Sequence, residues 1–204
     1  VRDQIMSDFL KNLAAPGPAP SGGAVAALGV AQAAALLARA AGADRELRGE
    51  AELLWMHALR LAEKDAHAVG RFAAAGGRVP SGGPEAVAAC LPAADVIAAA
   101  GEVVALAERL LPGAGPSSAV PSTAVQSGEL SPDVAAVAEI ARASAMTARV
   151  AIESRLGAVP DEAADALRAA VAGVDGLAER AAWVTAAVRA ANAPARSPEA
   201  ARVG

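Results

Sequence analysis

The chain is 204 residues long, 54% hydrophobic and only 2% aromatic, with no tyrosine, so it can bury a core built mainly from small side chains. Its formal charge of −4 excludes a nucleic-acid surface, which needs clustered Lys and Arg. A single cysteine, Cys90, excludes an intrachain disulfide framework, and with only two histidines an ordinary zinc site lacks ligands.

Ala stands in nearly every window, and Ala is the best intrinsic helix former because it loses no side-chain entropy. No run alternates with period two, so no sheet is predicted. The first helix is expected over about 2–14, with Ile5, Phe9, Leu10 and Leu13 on one side. It reads as an amphipathic helix rather than a secretory signal, and a cytoplasmic protein is expected. Pro16-Gly17-Pro18-Ala19-Pro20 stops it, since proline cannot continue a helix. Ser21-Gly22-Gly23 opens a second helix to about Ala41. Residues 22–38 carry no charge, but their apolar content is mostly Ala and Gly and they are barely long enough to span a bilayer. A buried core helix is the expectation, with no membrane partner.

Asp44 is the predicted N-cap of a third helix reaching about Ala75, along which Leu47, Leu54, Leu61 and Phe72 form a stripe with Ala58 and Val69. Gly76-Gly77 ends it, and a second Pro-Ser-Gly-Gly at 80–83 precedes a helix over about 84–111, with Pro92 a candidate kink. Residues 112–130, rich in Pro, Gly and Ser, form a long loop. Ser131-Pro132-Asp133 then reads as N-cap, N1 and N2 of a helix to about Leu156, and a last helix spans about 161–192. The whole is an all-α bundle of about six helices, one domain over 1–193, with a flexible tail over 194–204. A thin Ala-rich bundle gains core by pairing, so a homodimer is expected.

Asp65 stands out chemically. It lies four residues after Leu61 and four before Val69, which puts a carboxylate on the apolar stripe. Burial there raises a carboxyl pKa, the setting from which general acids and bases are drawn; a stripe-edge Asp answering Lys64 or His67 is the plain alternative. Asp133 sits at a helix start, where the macrodipole already accounts for an acid. Ser21, Gly22 and Gly23 bring a helix N-terminus with free N–H groups and no Cβ to block a ligand, although turn chemistry alone also explains them. His57 and His67 are ten residues apart on one helix, about 15 Å along its axis, and cannot share a metal.

Three segments resemble the cyclodeaminase/methenyltetrahydrofolate cyclohydrolase family, which includes the cyclodeaminase half of formiminotransferase-cyclodeaminase. SDFLKNLAAPGPAPSGGAVAAL resembles that family's N-terminal helix and glycine turn. LRLAEKDAHAVGRF is similar to a family helix with Asp inside Ala-Glu-x-Asp-Ala. SPDVAAVAEIARASAMTARVAIESRL is similar to a helix beginning Ser-Asp-Val-Ala-Ala and continuing through Ala-Arg-Val-Asn-Val-Glu-Ile-Asn-Leu. The likeness runs from Ser7 to Leu156.

The resemblance implies an all-helical dimer that binds a tetrahydrofolate derivative as substrate, with no cofactor and no metal. The implied chemistry is ring closure of 5-formiminotetrahydrofolate with loss of ammonia, or hydrolytic opening of the 5,10-methenyl bridge. It also implies Asp65 and Asp133 as the catalytic acids, Gly22 and Gly23 as the substrate turn, and Ser21, Ala151 and Arg155 as neighbouring substrate-binding positions. The chain departs from the pattern at four places: Ser21 replaces the first turn glycine, Pro132 the serine before the helix-start Asp, and Ala151 and Arg155 both asparagines. Asparagine donates and accepts hydrogen bonds, whereas alanine does neither and arginine only donates, so folate recognition would be reworked. Three functions are therefore expected to compete: a folate C–N enzyme, a diverged enzyme closing or opening an imine or iminium ring in specialised metabolism, and a non-catalytic binding bundle. The catalytic readings require Asp65 and Asp133 to share one sheltered cavity.

Overall fold

The computed structural model describes residues 6–17, 20–76, 83–112 and 130–193. Among them are six α-helices and no strand: α1 (Met6–Ala14), α2 (Gly22–Ala40), α3 (Arg45–Ala74), α4 (Pro84–Arg109), α5 (Pro132–Glu153) and α6 (Asp161–Ala191). The all-α bundle follows from the composition. The expected first residues of α1, the second Pro-Ser-Gly-Gly turn except Gly83, the body of the 112–130 loop and the 194–204 tail lie outside the described residues.

Local chemistry sets the boundaries. Ser21 caps α2, its hydroxyl accepting from the Gly23 N–H at 3.1 Å, and Asp44 caps α3 by accepting from the Leu47 N–H at 3.0 Å. Gly42 supplies the left-handed backbone, φ +57°, that turns α2 into α3. Ser131 caps α5 with Pro132 at its first turn. That helix ends at Glu153, short of the expected Leu156, because the chain tightens into a 3-10 turn at Leu156–Ala158. α4 runs unbroken through Pro92, which is buried within it.

One core joins α2 to α6, and most of its side chains are Ala or Val. α2 packs on α3, α5 and α4, while α4 also meets α3, α5 and α6. Small residues permit close crossings: a Cβ on Gly29 would overlap the Ser144 hydroxyl of α5. α2 and α5 run antiparallel, with Gly22 facing Thr147, Gly29 facing Ser144, and Arg39 reaching Asp133. α2 and α4 are each long and apolar enough to cross a bilayer, and about half of each is buried inside the bundle, 50% and 56%.

Candidate functional site

The stripe on α3 determines where Asp65 goes. Leu47, Leu54, Ala58, Leu61 and Val69 are buried, and Asp65, in phase with them, is also fully buried. It lands against the first turn of α2. The Ser21 hydroxyl donates to Asp65 Oδ2 at 2.5 Å while still accepting from the Gly23 N–H. A relay therefore runs from backbone amide to hydroxyl to carboxyl. Asp65 Oδ1 occupies the place a Cβ on Gly23 would take and has no hydrogen-bond partner among the described residues. Only glycine admits this approach, since any Cβ at position 23 would overlap the carboxyl group.

Burial raises the Asp65 pKa above the usual carboxylate range; the Ser21 hydrogen bond, the positive charge of Arg155 and the Ala24 amide pull the other way but do not cancel it. The helix start thus holds a carboxyl more basic than an ordinary one, with a hydroxyl between it and the half-buried surface at Ser21. Such a pair can pass a proton outward without exposing the carboxyl to water.

Arg155 belongs to this end of the molecule. Its guanidinium donates to the carbonyl of Ala151 at 2.8 Å, and its charge acts on both Asp65 and Cys90. Cys90 is fully buried, as expected of a small core residue, and burial pushes its thiol pKa up. Ser21, Gly22, Gly23, Asp65, Ala151 and Arg155 therefore gather at one end, joined by Thr147, whose methyl lies 3.6 Å from a Cβ built on Gly22. Thr147 was invisible in the sequence reading, because nothing local distinguishes it from the other polar residues of α5. The antiparallel register with α2 alone singles it out.

Asp133 is elsewhere. It pairs with Arg39 at 2.7 Å, and Arg39 lies at the far end of α2 from Gly22, a separation of about 25 Å along the helix axis. The expected cavity shared by Asp65 and Asp133 is not formed within the chain. The physical reason is the antiparallel α2–α5 pair, which puts the start of α5 beside the end of α2. Asp133 is a first-turn acid held by the helix dipole and a partly exposed ion pair.

His67 is exposed, and His57 lines a groove between α3 and α4 with Leu53, Arg60 and Glu102. No cluster of metal-ligating side chains occurs among the described residues. No known protein-family model matches the chain, and no curated protein is significantly similar to it.

Proposed function

We propose that, with the two-acid form of the catalytic reading overturned by the position of Asp133, the protein acts on a C–N bond of a small cyclic amidine or iminium through one buried acid, Asp65, with Ser21 as its relay. The observation that carries this reading is the 2.5 Å Ser21–Asp65 contact at a glycine helix start. The folate derivatives 5,10-methenyl- and 5-formiminotetrahydrofolate are the default substrates, from the resemblance alone. In ring opening, water adds to the carbon between two nitrogens. Its proton passes to Ser21 Oγ as the Ser21 proton moves to Oδ2 of the ionised Asp65, and the proton Asp65 gained then returns through Ser21 to the departing nitrogen, restoring the carboxylate. A carboxyl made more basic by burial takes up the relayed proton more readily than an ordinary carboxylate would. Asp133 has no part in it.

Ala151 and Arg155, standing where the resembling helices carry asparagines, favour a substrate other than an ordinary pterin, such as a carboxylate-bearing imine that the guanidinium would hold. A second reading has one observation in its favour. Asp65 is wholly enclosed, as a carboxyl that merely ties α3 to α2 would be, in a non-catalytic bundle.

Turnover and calorimetric binding of 5,10-methenyltetrahydrofolate and of a simple cyclic amidinium separate these. The expected result is hydrolysis of at least one, reduced about tenfold or more in Ser21→Ala and unchanged within about twofold in Asp133→Asn, as for an exposed ion pair remote from the chemistry. If the wild-type protein neither binds nor hydrolyses either compound, or if Ser21→Ala matches it, the catalytic reading is wrong.

A further inference from the structure

We infer that the groove between α3 and α4 binds a free α-amino acid with a large apolar side chain, its ammonium held by Glu102 and its carboxylate by Arg60 and His57. The groove is set by the register of two helices. Arg109 in the last turn of α4 meets Glu50 in the second turn of α3 through two hydrogen bonds, at 2.8 and 2.9 Å, so the helices run antiparallel here. Two turns on from that pair, forward along α3 and back along α4, stand His57 and Glu102, each about 10 Å away and on the same side of its helix. Arg60 follows one turn beyond His57. Between the two polar ends the lining is apolar, from Leu53, Leu54, Ala105 and Leu106. The space is about 690 Å³, within the range of small-molecule sites, which combine apolar walls with a few converging polar groups.

Leu53 lines this groove and is 65% exposed, the most open of the large hydrophobic side chains among the described residues. A molecule lying in the groove would cover it. The two polar ends are not alike. Glu50 is taken up by Arg109, whereas neither Arg60 nor Glu102 joins an ion pair among the described residues. The signs then select the occupant. A plain carboxylate would be held by Arg60 and repelled by Glu102, and a plain amine would meet the reverse. An α-amino acid carries both charges on one carbon, and its side chain leaves from that same carbon to lie over the leucines toward the closed Glu50–Arg109 end. The Arg60 guanidinium can offer two parallel hydrogen bonds to the carboxylate, and half-buried His57 adds a ring N–H. The groove is separate from the relay, because Asp65 turns toward Ser21 of α2 while the groove faces α4.

Titration of the full chain with L-phenylalanine as the probe, followed by backbone amide chemical shifts, tests this. Saturable binding with a Kd of about 1 mM or tighter is expected, as for a ligand of this size at an open site, with the shifts centred on Leu53, His57 and Ala105. Glycine, which has no side chain to lay on the leucines, should bind at least about tenfold more weakly. N-acetyl-L-phenylalanine lacks the ammonium and L-phenylalaninamide the carboxylate, and each should also lose about tenfold. Glu102→Gln should weaken L-phenylalanine about tenfold but not its N-acetyl form, and Arg60→Gln should weaken it as much but not the amide. Both positions are exposed, so the helical circular dichroism of the variants should match the wild type. No saturable binding up to about 10 mM overturns the inference. So do shifts centred away from the groove, or affinity that survives both substitutions. None of these residues touches the Ser21–Asp65 pair, so a failure here would leave the catalytic reading standing.

Discussion

Asp65→Asn is expected to lower turnover by about 10²–10⁴-fold, the usual worth of a positioned acid or base, while leaving the fold intact. Asparagine keeps the shape of the side chain and still accepts the Ser21 hydroxyl, but it neither takes up nor releases a proton. The same variant should change the pH dependence of stability in a direction fixed by the raised pKa. In the unfolded chain Asp65 titrates near its ordinary value of about 3.9. In the folded protein burial holds it protonated to higher pH. Its contribution is thus fully present below about pH 4 and is lost as pH rises toward the folded pKa, with a slope of at most about 1.4 kcal/mol per pH unit. Asp65→Asn has no such loss, so denaturant midpoints measured from pH 4 upward should decline in the wild type and stay flatter in the variant. Flattened stability with undiminished turnover would make Asp65 a structural tie. Undiminished turnover alone sinks the mechanism.

The α3 stripe shows how much could be read in advance. Leu47, Leu54, Leu61 and Val69 share a phase that puts Asp65 on the apolar stripe, and the packing of α3 decides between a stripe-edge and a core carboxyl in favour of the core. Helix starts at Ser21, Asp44 and Ser131 were equally legible, because capping is decided by one or two adjacent residues. Asp133 was misplaced because the sequence gives helices without their mutual direction. A carboxyl at the start of α5 reaches Asp65 only if that start lies beside the start of α2. The register set by Gly29 against Ser144 places it beside Arg39 instead. Thr147 and the reach of Arg155 toward Cys90 were hidden for the same reason, since both depend on which helix lies opposite.

Gly23→Ala is expected to destabilise the protein by about 1–3 kcal/mol, reversing the gain a glycine-to-alanine change normally brings in a helix. The backbone of Gly23 is ordinary, with no positive φ, so the requirement is one of space. An added methyl would stand 2.6 Å from the Asp65 carboxyl carbon and closer still to Oδ1. That carboxyl is held on its other side by Ser21 and by the buried stripe of α3, and cannot swing away cheaply. Gly173 of α6 provides the contrast: a Cβ there meets nothing within 4 Å, so Gly173→Ala should stabilise by about 0.5–1 kcal/mol. For a chain of this size the two variants should melt on opposite sides of the wild type, Gly23→Ala lower by about 5 °C. The cause is isolated by Asp65→Ala, which removes the colliding group. In that background Gly23→Ala should cost nothing, because the two positions act on one contact. If Gly23→Ala melts with the wild type, or remains as harmful without the carboxyl, α2 and α3 do not meet through this acid, and the relay from Ser21 has no fixed end.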